Sequence, residues 1–261
     1  MVDKTLGNRS KTLVTLAVGV VVGGAVAGGG FAVADTKAPR TDRQITNMTD
    51  EVNDIKAYYG DTVDAKGEHW PSASSNYAKQ VAGIEKDAIQ YLQSRARHDK
   101  GAKKAIVLDV DDTSLSTYNY ELETTFVYNP TSNAQYIATK TMPAVFGMNT
   151  LAQWAESEGY TVFFVTGRPE SQRSYTAANL AAVGYPTADA THLYLKNKEN
   201  PPAYLPCGST CTTVEYKSGT RAHIESLGYQ IVANFGDQNS DLSGGHASRT
   251  YKIPNPMYYI P

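Results

Sequence analysis

The chain has 261 residues, of which 41% are hydrophobic, and its 24 basic residues nearly balance its 26 acidic residues. This length suits one α/β domain with a small insertion and argues against two large domains. The near-neutral charge gives no basic surface for a nucleic-acid polymer, so we expect no such partner.

Residues 1–34 are predicted to be an export signal. Three basic residues precede an uncharged stretch, residues 12–34, which closes in Ala-Val-Ala, as secretory signals do. We therefore predict cleavage after Ala34, a secreted protein, and no stable membrane partner once the signal is removed. An uncleaved anchor is the alternative, because the uncharged stretch exceeds the roughly 18 residues of a candidate membrane span. Its many glycines favour cleavage.

Helical spacing of apolar residues predicts an N-terminal helical layer, formed by residues 45–59 and 76–97. Strands and helices then alternate, which predicts a parallel sheet covered on both faces. The predicted strands are 105–110, 161–166, 192–196 and 230–235, and the predicted helices are 170–183 and 218–227. We therefore expect an α/β fold with three layers.

Two of the predicted strands run directly into carboxylates. The first leads into Asp109 and Asp111, and the last leads through Gly236 into Asp237 and Asp241. Ligands of open parallel sheets bind at the carboxyl ends of the strands, so the two pairs of acids could share a divalent cation there. A calcium loop that starts at Asp109 is set aside, because its sixth position is not glycine and its twelfth is not glutamate.

The second predicted strand ends in Thr166, followed by Gly167, Arg168 and Pro169. A helix that begins at this proline would direct free backbone N–H groups at an anion. Arg168 is a candidate contact for that anion, with pairing to a nearby acid such as Glu170 as the alternative.

These junctions together resemble the haloacid-dehalogenase-like (HAD) superfamily of phosphotransferases, whose four motifs occur here in order. They are Asp109 and Asp111 in DVDDT, Thr166 in VTGR, Lys217 in YKSGTR, and Asp237 and Asp241 in GDQNSD. The segments DVDDTSLSTYNYE and GDQNSDLSG and the closing residues 252–259 resemble the class B acid phosphatase branch (subfamily IIIB), which is related to plant vegetative storage proteins. The resemblance covers roughly residues 40–261 and implies a Rossmann-like core.

The resemblance also implies a magnesium-dependent hydrolase of small phosphate monoesters. Asp109 would be the nucleophile that forms an aspartyl-phosphate, and Asp111 would be the general acid and base. Mg²⁺ would be held by Asp109, Asp237 and the main-chain carbonyl of Asp111, with Asp241 as a further ligand or as a residue that assists from outside the coordination sphere.

Phosphate binding is assigned by the same resemblance to Thr166, the backbone of Gly167, Lys217 and, as a weaker candidate, Arg168. Taken singly, Lys217 is more often a solvated lysine and Thr166 an ordinary turn residue, but their order between two acidic junctions favours the functional interpretation. For Asp112 we expect only a turn or capping role. None of the five histidines is assigned a catalytic role.

The alternative function is a non-catalytic storage or phosphate-ligand-binding protein of the same fold, since fold does not determine function. The presence of the nucleophile and its partners favours the enzyme. A dehalogenase is disfavoured because Asp111 supplies a general acid that carbon–halogen chemistry does not need. Nothing in the sequence bears on a phosphomutase.

Within a predicted HAD-like domain at 35–261, residues 114–150 are rich in Tyr, Thr, Asn and Ser. We predict that they form a small cap over the active site, with a plain surface connection as the alternative. We expect each of the aromatic residues there to pack the insertion rather than line a pocket.

Cys207 and Cys211 are the only cysteines and lie four positions apart. In an exported chain, this spacing predicts a disulfide that fixes the segment before Lys217. A redox pair and two free thiols are the alternatives.

Overall fold

The computed structural model describes residues 38–98, 101 and 103–260. The described residues fall into two units, which meet between Ile45 and Thr46 along the chain. The described part of the first unit contains one 3₁₀ turn, Asp42–Gln44. The predicted export signal lies outside the described residues. Among the helices that the structure does describe, none has the length and apolar character needed to cross a membrane.

The second unit is built on a parallel sheet. Its elements in chain order are α1 (Met48–Tyr59), β1 (Thr62–Val63), β2 (His69–Trp70), α2 (Asn76–His98), β3 (Lys103–Leu108), α3 (Tyr118–Glu123), α4 (Pro130–Thr139), α5 (Met148–Ser157), β4 (Thr161–Pro169), α6 (Arg173–Ala182), β5 (Leu193–Lys196), α7 (Thr213–Ser226), β6 (Tyr229–Gly236), α8 (Asn239–Leu242) and β7 (Arg249–Lys252). The main sheet has the order β5-β4-β3-β6-β7, and every neighbouring pair is parallel. The predicted α/β fold is confirmed, and β1 and β2 form a separate antiparallel pair.

The register of the sheet brings the predicted functional junctions together. Leu108 at the end of β3 pairs with Phe164 of β4 on one side and with Phe235 of β6 on the other. The backbone N–H of Asp109 then donates to the carbonyl of Phe235 at 3.0 Å. The last four residues of β3, the last six of β6 and residues 162–166 of β4 are buried, as expected for a parallel sheet covered on both faces. The carboxyl ends of β3, β4 and β6 therefore lie side by side.

The predicted N-terminal helical layer is formed by α1 and α2. Stacked tyrosines join this layer to α3, because the ring centroid of Tyr59 lies 4.3 Å from that of Tyr77 and 4.5 Å from that of Tyr118. All three rings are buried, so their apolar area contributes to the core. The layer thus supports the segment that follows the first acidic junction.

The segment at 114–150 contains α3, α4 and the first residues of α5, which the sequence did not predict. Its two ends are tied together, since Val145 N–H donates to the Ser114 carbonyl at 3.0 Å and Ser116 N–H donates to the Pro143 carbonyl at 2.8 Å. Most of its aromatic residues pack, although Tyr128 is 67% exposed. The segment therefore has local structure of its own.

The helical segment after β4 begins at Glu170, as predicted, with Pro169 as its N-cap. Its first three residues form a 3₁₀ turn, Glu170–Gln172, and the α-helix α6 follows from Arg173. β4 itself extends beyond the predicted 161–166, since Pro169 is aligned with Lys196 of β5.

Cys207 and Cys211 form the predicted disulfide, which closes a turn just before α7. This helix begins at Thr213, five residues earlier than predicted, and a capping box between Thr212 and Glu215 defines its start.

The last strand, β7, was not predicted from the sequence. Only one of its four residues is buried, which leaves no apolar pattern to detect.

Candidate active site

The loop after β3 is fixed by its own polar groups. The Ser114 hydroxyl donates to the Asp109 carbonyl at 2.6 Å, and Ser114 N–H donates to the Val110 carbonyl at 2.9 Å. Asp112 has a φ of 52°, a left-handed conformation that Asp adopts more readily than most residues. These contacts turn the chain sharply and leave the Asp109 side chain at the end of the sheet.

Asp112 stabilises this turn from within. It is 1% exposed and accepts hydrogen bonds from the Thr117 N–H at 2.9 Å and from the Thr117 hydroxyl. The Tyr258 hydroxyl also donates to its carboxylate at 2.8 Å. Asp112 therefore has the turn role expected from the sequence, while the N-cap of α3 is Thr117.

Three buried carboxylates meet at the ends of β3 and β6. Oxygen atoms of Asp109, Asp237 and Asp241 all lie within 4.8 Å of one another. The approach of α8 to the sheet depends on Gly236, because a Cβ atom at that position would lie 2.3 Å from Cβ of Asp241. The absence of a side chain at Gly236 therefore allows the third carboxylate to join the cluster.

Lys217 of α7 bridges this cluster. Its Nζ atom donates to Oδ1 of Asp109 and to Oδ1 of Asp241, each at 2.5 Å. The lysine is 3% exposed, and although burial opposes its charge, the attraction of Asp109 and Asp241 raises the pKa of Lys217 above its ordinary value. Lys217 therefore remains a buried cation beside the predicted nucleophile.

Hydrogen-bond donors hold Asp237 and Asp241 in place. Oδ2 of Asp237 accepts from the side-chain amides of Gln238 and Asn255, both at 2.7 Å, while Oδ1 accepts from the Thr113 hydroxyl at 3.2 Å. The Gln238 N–H donates to Oδ2 of Asp241 at 2.8 Å. These contacts fix the direction in which each carboxylate faces the cluster.

The charges of the cluster do not balance. Burial raises the pKa of Asp109, with Lys217 acting against the rise and Asp241 adding to it. Burial and then Asp241 likewise raise the pKa of Asp237. Three carboxylates face one lysine, so a divalent cation would neutralise the excess negative charge. Carboxylate oxygens are also the ligands that hard divalent cations prefer, so these residues fit such an ion.

Asp111 lies outside this cluster and pairs with Arg168. The guanidinium donates to the carboxylate through Nη2 at 2.6 Å and through Nε at 3.0 Å. Arg168 also donates to the Thr176 hydroxyl at 3.0 Å, whereas Glu170 pairs with Arg173. The alternative pairing of Arg168 with Glu170 is therefore wrong. Arg168 is a buried residue of β4, the strand next to β3, and its guanidinium reaches the carboxylate of Asp111 in the loop after β3.

The predicted phosphate-binding turn, residues 166–168, lies within the last four residues of strand β4, beside the end of β3. Thr166 is buried, and its hydroxyl accepts from the Arg168 N–H at 3.2 Å. Gly167 is exposed, and no atom lies within 4 Å of the position that a Cβ would occupy. The structure thus leaves open space at this backbone, while no hydrogen bond within the described residues links the turn to the acidic cluster.

Comparison with known proteins agrees with this geometry. The sequence model of the HAD superfamily, subfamily IIIB (Acid phosphatase), matches residues 36–261. The chain belongs to this family of acid phosphatases. The match covers the acidic cluster, Lys217 and residues 166–168 near the end of β4.

Individual relatives of this acid phosphatase family member are mostly plant proteins. Acid phosphatase 1 of Solanum lycopersicum is 34% identical over 188 residues, which cover 70% of this chain and 69% of the relative. Vegetative storage protein 1 of Arabidopsis thaliana is 29% identical over 192 residues, covering 72% and 67%. The class C acid phosphatase from Bacillus anthracis has a similar fold, with a TM-score of 0.61, 21% identity and coverage of 81% of this chain and 86% of that chain.

Several residues that shape the site were not singled out from the sequence. Thr113, Gln238 and Asn255 all donate to Asp237, and Tyr258 donates to Asp112. Asn255 and Tyr258 belong to the closing segment that resembles the class B branch. That resemblance indicated a family relationship but assigned no role to either residue. Thr113 and Gln238 lie within the motifs DVDDT and GDQNSD and could have been suspected on that ground alone.

Glu121 in α3 is a further buried carboxylate near the site. It is 6% exposed, and burial followed by the negative charge of Asp111 raises the pKa of Glu121 to about 7. A carboxylate whose pKa is higher in the folded than in the unfolded chain adds stability at low pH that is lost as the pH rises through the folded value. The native protein should therefore lose stability between about pH 4.5 and pH 7 through this group.

Glu121→Gln should accordingly stabilise the protein at pH 8 and change little at pH 4, where the native carboxyl is neutral. A shift of this size corresponds to about 3 kcal/mol in the free energy of unfolding. Urea denaturation at both pH values measures the difference, with the exposed Glu123→Gln in the same helix as the matched control. Equal effects of Glu121→Gln at pH 4 and pH 8 would contradict the prediction.

Proposed function

We propose that this acid phosphatase family member is a secreted, Mg²⁺-dependent enzyme that hydrolyses small phosphate monoesters through an aspartyl-phosphate. The observation that carries the proposal is the buried contact between Asp109 and Lys217 at the carboxyl end of β3, with Asp237 and Asp241 beside it. The proposed nucleophile, a buried lysine and the proposed ligands of a divalent cation thereby lie together at the edge of the sheet where open α/β folds bind ligands.

In the first step, a carboxylate oxygen of Asp109 attacks phosphorus, and the bond from phosphorus to the leaving oxygen breaks. Lys217 neutralises negative charge on the nucleophile and on the transferred group, while Thr166 and the Gly167 N–H donate to phosphoryl oxygens. In the second step, water attacks the aspartyl-phosphate and releases phosphate, which regenerates Asp109.

Asp111 is proposed to protonate the leaving oxygen and then to accept a proton from the attacking water. Its side chain is 29% exposed, whereas that of Asp109 is 8% exposed, which suits a group that faces the departing alcohol. The bidentate contact with Arg168 fixes the direction of the carboxylate. Arg168 is thus proposed to position the acid, in addition to its weaker candidacy as a phosphate contact.

Asp109, Asp237, Asp241 and the Asp111 carbonyl are the groups proposed to hold Mg²⁺. When bound, this ion supplies positive charge that stabilises the phosphoryl oxygens during transfer. The excess of carboxylates over lysine in the cluster and their oxygen-only donor set support a hard divalent ion.

Export and the cap are parts of the same proposal. The disulfide between Cys207 and Cys211 supports an oxidising compartment, consistent with a signal at residues 1–34, cleavage after Ala34 and a phosphatase domain at 35–261.

The segment at 114–150 begins directly beside the nucleophile loop, so we propose that α3 and α4 form the small cap that selects the leaving group.

A second candidate is a non-catalytic storage protein. The observation that favours it is the similarity to vegetative storage protein 1 of Arabidopsis thaliana. Asp109, Lys217 and Asp237 favour the enzyme, because a storage role requires none of them.

Hydrolysis of an aryl phosphate by the purified chain tests the proposal. We expect phosphate release with Mg²⁺, a loss of at least about tenfold after chelation because the cation stabilises the transferring charge, and recovery when Mg²⁺ is restored. Circular dichroism after chelation is the control that the protein remains folded. A folded protein that binds Mg²⁺ but releases no phosphate would instead support the storage function.

A further inference from the structure

The C-terminal segment, residues 253–260, lies against both acidic junctions of the site. It continues from β7, where Ile253 N–H donates to the Gly236 carbonyl at 2.9 Å. Ile253 and Met257 are buried and anchor it in the core. The segment therefore has a fixed position next to Asp237, which directly follows Gly236.

Asn255 makes the contact that matters most for the cluster. Its Nδ2 donates to Oδ2 of Asp237 at 2.7 Å, while its Oδ1 accepts from the Met257 N–H at 2.9 Å. The second bond fixes the amide so that its NH₂ group faces Asp237. Because the Thr113 hydroxyl holds the other oxygen only at 3.2 Å, Asn255 and Gln238 largely determine the rotation of this carboxylate.

Two further contacts join the segment to the neighbouring loops. Tyr258 donates from its hydroxyl to Asp112 at 2.8 Å, which ties the segment to the turn after Asp109. The Ile260 N–H donates to Oε1 of Gln238 at 3.0 Å. One stretch of chain thus connects the loop after β3 with the loop after β6, and these two loops carry the carboxylates of the cluster.

We propose that Asn255 and Tyr258 are positioning residues, through which the C-terminal segment holds Asp237 and the Asp109 loop at the separation that a divalent cation requires. The inference rests on the proposed function, since that function places the cation in this cluster. Partners of metal ligands typically change metal affinity 10- to 100-fold when they are removed.

Calorimetric titration of the full chain with Mg²⁺, and with Mn²⁺ as a second probe, tests the inference. For Asn255→Ala we expect a dissociation constant at least about tenfold weaker, with activity recovered at high Mg²⁺. Asn255→Asp keeps an acceptor for the Met257 N–H but loses the amide donor, and it should weaken binding as well. This variant keeps the test decisive if Asn255→Ala does not fold.

Tyr258→Phe should weaken binding by about threefold or more, as expected for the loss of one hydrogen bond. Tyr259→Phe is the matched control, because the neighbouring ring is 72% exposed and should leave affinity unchanged. Unchanged affinity in both Asn255 variants would overturn the inference and leave the proposed function intact. Failure of the unsubstituted protein to bind either ion would overturn both.

Discussion

Asp109→Asn is expected to lower kcat by at least about 1000-fold, as the removal of a nucleophile does in other enzymes that use covalent catalysis. An amide cannot form the acyl-phosphate bond, although it keeps the size of the carboxylate and an oxygen that can accept from Lys217. The fold should survive, because the change removes one of three crowded negative charges. Steady-state hydrolysis of an aryl phosphate measures the loss, and thermal unfolding measures stability.

A covalent intermediate gives a second and more specific measurement. Rapid acid quenching of the unsubstituted protein during turnover should leave a phosphorylated species in its intact mass, and the variant should leave none. Asp112→Asn is the matched control, since it makes the same chemical change in a buried acid of the same loop. It should cause a far smaller loss of activity, and comparable losses in the two variants would contradict the assignment of the nucleophile.

Lys217→Met is expected to lower the free energy of unfolding by about 3–5 kcal/mol near neutral pH, the usual cost of leaving buried charges without their partner. Both Asp109 and Asp241 contact the lysine at 2.5 Å, and Asp237 adds a third negative charge nearby. Burial already raises the pKa of Asp109 and of Asp237. The destabilisation should therefore diminish at low pH, where these carboxylates become neutral.

Urea denaturation at pH 5 and pH 8, with and without Mg²⁺, measures this effect. A bound divalent cation would replace part of the missing positive charge, so Mg²⁺ should stabilise the variant more than the unsubstituted protein. Lys140→Met is the matched control, because Lys140 also pairs with a carboxylate, Glu68, but is 41% exposed. That variant should lose less than about 1 kcal/mol, and an equal loss in both lysine variants would refute the argument.

The meeting of the two acidic junctions could be predicted because it follows from the pattern of the chain. Apolar strands that alternate with helices imply parallel strands, whose carboxyl ends share one edge of the sheet. The structure bears out this geometry through the pairing of Leu108 with Phe235. The role of Lys217 in the site was predicted from the family resemblance alone. It lies 108 residues from Asp109 along the chain, and no local pattern distinguishes it from a solvated lysine.

The partner of Arg168 shows where local reasoning failed. Proximity in sequence favoured Glu170 as the partner of Arg168. Glu170 instead pairs with Arg173, and Arg168 pairs from the neighbouring strand with Asp111. The roles of Asn255 and Tyr258 were also missed. Both lie in an irregular segment after an exposed strand, where no periodic pattern exists.

The sequence by itself determined the fold class, the order of the motifs and the pairing of the two cysteines, because apolar periodicity and short spacings are local properties of the chain. Only the tertiary structure decided which cation and which amide each buried acid contacts. Such contacts depend on distances of about 3 Å between residues that are far apart in sequence. In this protein those distances were decided by strand register and by the path of the C-terminal segment.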